Sequence, residues 1–185
     1  MSGTILLDLQ KRQVVHDREY HRDIFFLPYP QRMTHFALHF AKYVGRLAAG
    51  PISHAELEKT LADCVIVSLA ASDVLHIDFD SEIKRRLGAK TLTEAESLAA
   101  ESIGFPSDRG EAQREWALRL AVPTGRIGKA LESLDHMESL NVREVLASAL
   151  VEIVLLNLAV ARLMGLHTSE LVTARWAEIE GRRLL

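Results

Sequence analysis

Two stretches of this chain, LADCVIVSLAASDVLHIDFDSEI at residues 61–83 and LVEIVLLNLAVARLMGLHTSELV at residues 150–172, have the same pattern. In each, a long apolar run carries one early acid, Asp63 or Glu152, and ends in a short turn before a more polar segment. Apolar residues recur at spacings of three and four, which is typical of a helix packed on a core. The pattern predicts that each stretch forms the same unit: a long buried helix, a tight turn and a short helix.

The similarity extends upstream of both long helices. KYVGRLA at residues 42–48 resembles GRIGKAL at residues 125–131, which aligns Gly45 with Gly128. The copies are offset by 83 residues at these glycines and by 89 further on, so we expect six extra residues in the inter-helix loop of the second copy. Two copies can pair apolar helix faces that one copy would leave exposed. We therefore predict an all-α helical bundle built from two halves related by a pseudo-twofold axis.

The remaining segments also favour helices, separated by breaks rich in proline and glycine. Thr93 with Glu96 three residues later predicts a capping box, and Pro123 with Gly125 predicts that a helix begins near residue 125. The main predicted helices lie at about residues 31–49, 53–75, 93–102, 125–134, 142–164 and 169–183, with a short one after Asp80.

The predicted domain organisation is simple. Residues 1–30 form an N-terminal arm, and residues 31–185 form a single all-α domain with repeats at about 31–90 and 114–185. The arm has two interpretations. It is a solvated segment whose apolar end docks on the core or on a partner, or it is a lid that offers Arg18, His21, Arg22 and Arg32 to a phosphate.

Composition narrows the function classes. The 185 residues are 48% hydrophobic and 25% charged, as in soluble globular proteins, and the net charge of −3 argues against nucleic acid binding. The single cysteine, Cys64, excludes an internal disulfide, and the absence of a signal sequence favours the cytoplasm. Residues 145–166 are apolar over a membrane-spanning length, but Glu152 and Arg162 within them favour a buried core helix and no membrane.

The repeat resembles the MazG-like, all-α nucleoside triphosphate pyrophosphohydrolase superfamily, which includes the dimeric dUTPases. In that family an EExxE helix precedes a long apolar helix that opens with ExxD and ends in a Gly-Ile-Asp-Leu-like turn. Here Leu61-Ala62-Asp63 opens the apolar helix and His76-Ile77-Asp78-Phe79 takes the turn, as Gly165-Leu166-His167-Thr168 does in the second copy. The resemblance covers most of residues 34–86 and 123–183. It implies a helical bundle, usually formed by paired chains, that hydrolyses nucleotides between the α and β phosphates with Mg²⁺ held by four acids.

This sequence departs from the family at most of those acids. The EExxE positions hold Lys42, Tyr43 and Arg46 in the first copy and Gly125, Arg126 and Lys129 in the second. The ExxD positions hold Thr60 and Asp63 in the first copy and Ala149 and Glu152 in the second. One carboxylate beside two cations does not hold Mg²⁺, which needs several hard oxygen ligands. We therefore expect no metal, no cofactor and no Mg²⁺-dependent hydrolysis by the family route, and we assign no catalytic residue.

An ionised acid inside an apolar helix needs a partner. We predict that Lys42 and Arg46 pair with Asp63, and that Arg126 and Lys129 pair with Glu152, so that cations occupy the place of the metal. The alternative is that the cations face solvent and the acids find other partners.

Two histidines add a second candidate chemistry. His35 and His39 are four residues apart and so share a helix face with Lys42 and Arg46. This spacing suits a metal if a third ligand exists, and His16, His21, Glu19 and Asp63 are the options. The other interpretation is a polar face packed under the arm. Packing roles are predicted for the two tryptophans and for Cys64. Trp116 and Trp176 anchor the core or an interface, and the thiol of Cys64 acts as a small hydrophobic group. The amide of Asn157 either sets the register of its helix or reads a base edge.

The sequence therefore predicts a cationic cleft that binds a phosphorylated small molecule such as a nucleotide. The predicted ligand-binding residues are Lys42, Arg46, Asp63, Arg126, Lys129, Glu152, His35 and His39. Two alternatives remain open. One is an active hydrolase, for instance a nucleotide pyrophosphohydrolase, with His35, His39 and Asp63 as a relocated site. The other is an interaction module without a ligand. A homodimer is compatible with all three of these functions.

Overall fold

The computed structural model describes residues 4–182, which form nine helices and contain no strand. The all-α prediction is therefore confirmed for this part of the chain. In chain order the helices are α1 (Leu7–Tyr20), α2 (Arg22–Phe25), α3 (Tyr29–Ala48), α4 (His54–Leu75), α5 (Phe79–Leu87), α6 (Leu92–Ile103), α7 (Arg109–Asp135), α8 (Val142–Leu163) and α9 (Thr168–Arg182).

Helices α3, α4, α7 and α8 form the centre of the bundle. α3 packs on α4 and α7, while α8 packs on α4, α6 and α7. α8 is long and apolar enough to cross a membrane, but 67% of its most apolar window is buried inside the bundle. α4 and α5 together also pass this length and hydropathy test, with a bend of 108° between them. Burial of α8 on several sides explains its apolar sequence and is consistent with a soluble bundle.

The turns that end α4 and α8 have the same backbone structure. His76 and Gly165, which the repeat aligns, both have positive φ, at 52° and 70°. The following amides, of Ile77 and Leu166, donate to carbonyls five residues back at 2.9 Å in both turns. Such a left-handed residue closes the C-terminus of a helix. This likeness is local, and the relation between the two whole halves stays a prediction.

The prediction of a longer inter-helix loop in the second copy is wrong. The loops before α4 and α8 are of similar length, at residues 49–53 and 136–141. α7 instead continues to Asp135, well past its repeat glycine at 128, whereas α3 ends at Ala48, soon after Gly45. Most of the inserted residues therefore lengthen a helix.

Two predicted helix starts are also wrong. α7 runs through Pro123 without a break, although proline removes a backbone donor there. Pro123 is buried, and packing of α7 on α3 and α8 outweighs this local preference. The N-cap of α6 is Thr91, whose side chain accepts the Glu94 amide at 3.2 Å, and not Thr93. Glu96 is buried and accepts the backbone amide of Thr168 at 2.8 Å.

The N-terminal arm folds as α1 and α2 and packs within the same chain. α1 lies against α4 and α9, and its buried residues are Gln13, His16 and Asp17. Hydrophobic periodicity did not predict this helix because the face that it buries is largely polar. Its N-terminus is bound by the buried Asp80 on α5, which accepts three backbone amides, those of Ile5, Leu6 and Leu7.

The predicted packing residues occupy the core. Trp116 and Trp176 are 2% and 0% exposed, and Cys64 is fully buried, which raises the pKa of its thiol. Asn157 is buried in α8, where its Oδ1 accepts the Trp116 indole N–H at 3.2 Å. This contact joins α7 to α8 and supports the role of Asn157 in helix register.

Candidate functional site

A cavity of about 500 Å³ lies between the N-terminal helices and helices α3, α4 and α9. One part of its wall is apolar and includes Ile24, Phe25, Phe36, Ile66, Val67 and Ile179. The other part carries cations and histidines, namely Arg32, Lys42, Arg175, Arg182, His21, His35 and His39. Asp17, Asp23 and Asp63 also line it. Pockets of this size, with a few polar groups on an apolar wall, are typical of small-molecule sites.

Asp63 lies in this cavity but does not pair with Lys42 or Arg46, so that prediction is wrong. Its partner is Arg175 on α9, whose Nε donates to Oδ1 at 2.6 Å and whose Nη2 donates to Oδ2 at 3.5 Å. Both side chains are largely buried. The prediction considered only the helix that faces Asp63 within its own repeat. The actual partner lies 112 residues away in the sequence, and no local pattern indicated it.

The two cations predicted to serve Asp63 have other neighbours. Arg46 donates to the Thr60 hydroxyl at 3.1 Å. The Lys42 ammonium lies 3.2 Å from His39 Nδ1 and 4.7 Å from the centre of the Tyr43 ring. Within residues 4–182, Lys42 has no carboxylate at ion-pair distance. Burial lowers the pKa of Lys42 from its usual value, against the opposing effect of the nearby Asp63.

His35 and His39 share a face, as predicted, and both line the cavity. Their ring centres are 4.6 Å apart. His39 Nδ1 lies 3.0 Å from the Tyr43 hydroxyl and faces the Lys42 ammonium, which can only donate. Nδ1 therefore accepts, and the proton of the neutral ring is on Nε2. Burial, with the charge of Lys42, lowers the pKa of His39 to about 4.

The corresponding residues of the second copy lie elsewhere, at the surface. Arg126 donates to Glu152 directly, and both side chains are about two-fifths exposed. Lys129 does not contact Glu152. It pairs with Glu132 at 3.2 Å and Glu138 at 3.0 Å. Of the eight predicted ligand-binding residues, four therefore line the cavity (His35, His39, Lys42 and Asp63), three form surface ion pairs (Arg126, Lys129 and Glu152), and Arg46 belongs to neither set.

The arm supplies much of the remaining wall. Gln13 and Asp17 on α1, His21 after it and Arg32 on α3 all line the cavity. Arg32 lies 3.6 Å from Asp73, and its Nε is buried without a hydrogen-bond partner among residues 4–182. The lid interpretation had named His21 and Arg32, whereas no sequence signal indicated Gln13 or Asp17.

No protein-family model matches this chain, and no curated protein or solved structure matches it either.

The low pKa of His39 predicts an acid-sensitive site. The usual pKa of 6.5 applies to the unfolded chain, so between pH 6.5 and about 4 the unfolded chain binds a proton that the folded chain does not. This contribution to folding stability is present above pH 6.5 and is lost as the pH falls towards 4. An NMR titration, with the signal assigned by His39→Gln, should show a midpoint near 4. Lys42→Gln should move the midpoint upward, and a wild-type midpoint at or above 6.5 would contradict the geometry.

Proposed function

We propose that this chain is a cytoplasmic, MazG-like protein whose cavity binds a phosphorylated small molecule, such as a nucleotide, without Mg²⁺-dependent hydrolysis. The observation that carries the proposal is Lys42, a cation in the cavity wall without a carboxylate partner among the described residues. Its remaining N–H donors are available to an anion, and a charge-assisted hydrogen bond to phosphate is stronger than a neutral one.

The dimensions of the cavity suit a ligand with an anionic end and a planar apolar body. Lys42 and Arg32 are ten residues apart on α3, which separates them by about 15 Å. One phosphate contacting Lys42 therefore leaves the rest of the ligand to extend over Phe36, Ile66 and Val67 towards Arg32. The unpartnered Nε of Arg32 is a donor for a polar group at that end.

The surroundings of Asp63 speak against Mg²⁺ chemistry. Asp63 is the one acid of the first copy that aligns with the metal-binding acids of the MazG pattern, and its two oxygens accept from the Arg175 guanidinium. A divalent ion would have to displace an arginine and still lack the further carboxylates that Mg²⁺ requires. The MazG-like assignment rests on the sequence pattern alone, because the backbone turn that ends both α4 and α8 is a common way for a helix to end.

The test is nucleotide binding by calorimetry with EDTA present, comparing wild type with Lys42→Ala. Losing one charge-assisted hydrogen bond of about 1.5–3 kcal/mol should weaken binding by roughly 10- to 100-fold. Lys129→Ala is the matched control, because that lysine belongs to the second copy and forms surface ion pairs, and it should leave binding unchanged. Equal affinities of wild type and Lys42→Ala would refute the proposed anion site.

A hydrolase with a relocated site is the second candidate, because the cavity contains His35, the neutral His39 and Asp63 together. An assay of nucleotide hydrolysis with Mg²⁺ and Mn²⁺ distinguishes this hydrolase from a protein that only binds its ligand. Turnover that Asp63→Asn abolishes would establish the hydrolase and exclude a binding-only protein. A melting temperature that no nucleotide or sugar phosphate shifts would favour an interaction module over a ligand-binding protein, since a ligand at 100 times its Kd adds about 2.7 kcal/mol.

We also propose that the protein can form a homodimer. Leu118 and Val122 on α7 and Leu38 on α3, two helices that pack together, are 64–66% exposed. In the arm, Ile24 and Phe25 line the cavity of their own chain, whereas Phe26 is 63% exposed. Light scattering after gel filtration measures the oligomeric state directly.

A further inference from the structure

A cluster of potential metal ligands lies where α1 ends, beside the cavity. His16 and Asp17 are the tenth and eleventh residues of α1, and His21 follows its last residue. One donor atom from each of the three lies within 4.8 Å of the others, and His16 Nδ1 is 3.9 Å from Asp17 Oδ1. Two imidazoles and one carboxylate form a common ligand set for divalent transition metals.

The state of His16 points to a ligand that the protein itself does not supply. The residue is 4% exposed, and neither ring nitrogen has a hydrogen-bond partner within residues 4–182. Burying an unsatisfied polar group costs about 1–3 kcal/mol, so such groups are rare in folded proteins. Packing against Tyr20 and Trp176, with ring centres 5.0 and 6.0 Å away, holds the ring in place but satisfies neither nitrogen.

A second layer of hydrogen bonds orients the carboxylate. The Trp176 indole N–H donates to Gln13 Oε1 at 2.8 Å, and Gln13 Nε2 donates to Asp17 Oδ1 at 2.8 Å. Gln13 and Trp176 are both fully buried. Chains of this kind hold ligating carboxylates in metal sites, and they leave other lone pairs of the carboxylate for the ion. They also explain why α1 buries a polar face against α9.

We propose that His16, Asp17 and His21 bind one divalent transition metal ion of the Zn²⁺ class. Metal–ligand bonds of about 2.0–2.2 Å separate neighbouring donor atoms by roughly 3.0–3.5 Å, so donor atoms that lie within 4.8 Å of one another need to approach by at most roughly 1.3–1.8 Å. His21 lies between α1 and α2, and a rotation of its side chain would make this adjustment. Asp17 and His21 also line the cavity, so a remaining coordination position faces it. Imidazole ligands favour Zn²⁺, Co²⁺ or Fe²⁺ over Mg²⁺, which prefers oxygen ligands.

This proposal does not depend on nucleotide binding, because the three ligands are distinct from Lys42 and Arg32. The metal site would place a positive ion at the part of the cavity wall that the arm supplies. A site with an open position differs from a closed structural site, since it can bind water or an anionic ligand group.

The test uses the full-length protein, stripped with a chelator, dialysed and titrated with Zn²⁺ by calorimetry and with Co²⁺ by visible absorption. We expect one equivalent to bind, with the ligand-field bands of a nitrogen- and oxygen-ligated Co²⁺ ion. His16→Gln should weaken binding by at least about 100-fold, and Gln13→Met, which acts through Asp17, by about 10- to 100-fold. His136→Gln, at an exposed histidine at the end of α7, should bind as the wild type does.

A replacement variant and two contradicting results complete the test of the metal site. If His16→Gln does not fold by circular dichroism, His21→Gln takes its place with the same expected loss, since His21 is less buried. Failure of wild type to bind either ion with one-to-one stoichiometry would overturn the proposal. So would a loss of binding in His35→Gln/His39→Gln with His16→Gln unaffected, because the ion would then lie on α3. Nucleotide binding with EDTA present tests the phosphate site separately.

Discussion

Replacing Arg175 with methionine should lower the free energy of unfolding by about 3–5 kcal/mol. The substitution leaves the Asp63 carboxylate without its guanidinium partner, although its side chain is only 14% exposed. Breaking one side of a buried ion pair costs far more than the pair contributes, because the remaining charge stays desolvated. Urea denaturation followed by circular dichroism measures the change.

Two further variants separate this cause from a general loss of packing. Asp63→Met combined with Arg175→Met should recover most of the loss, since replacing both members of a buried pair by apolar groups is close to neutral. Arg126→Met is the matched control in the second copy, where the pair with Glu152 is about two-fifths exposed, and it should cost under about 1 kcal/mol. Equal costs for Arg175→Met and Arg126→Met would contradict the burial of the Asp63 pair.

Asp80→Ala should release α1 from the bundle. The Asp80 carboxylate is buried and accepts the amides of Ile5, Leu6 and Leu7 at 2.5–2.9 Å. Hydrogen bonds to a charged group contribute about 1.5–3 kcal/mol each, so losing three should cost about 4.5 kcal/mol or more, up to the free energy of docking α1. Hydrogen exchange should become fast along α1 while α4 and α8 keep their protection.

The same substitution links the arm to the site. Gln13, Asp17 and His21 line the cavity and are positioned by α1, so Asp80→Ala should also abolish the binding of Zn²⁺. Asp78→Ala is the control two residues away, because Asp78 caps α5 at the surface and its loss should cost only about 1 kcal/mol. Continued protection of the α1 amides in Asp80→Ala would show that other contacts hold the arm.

Much of the bundle could be predicted because its long helices carry local signals. α4 begins after Ser53, whose capping box with Glu56 is complete, and it ends at Leu75, the predicted residue. The apolar runs of α4 and α8 predicted burial on several sides, and the two tryptophans were expected in the core. These features depend on residues a few positions apart, so the sequence alone contains the information.

The site was less predictable because its contacts join distant segments. The cavity contains His35, His39, Lys42 and Asp63, which the sequence had selected. The repeat pattern placed Arg126, Lys129 and Glu152 in an equivalent site, but these residues form surface ion pairs. A sequence repeat predicts which face of a helix is apolar. It does not predict which faces are covered by helices that come later in the chain, as α9 covers Asp63 of α4.

The amino-acid sequence by itself determined the helical class, the positions of the central helices and the burial of their apolar faces, since helix periodicity and capping act within a few residues. The tertiary structure alone decided that Arg175 neutralises Asp63, that a polar-faced α1 closes the cavity and that His16 is buried against Trp176. Electrostatic pairing and desolvation depend on distance in space, and the chain brings these groups together across more than a hundred residues, as in the Asp63–Arg175 contact.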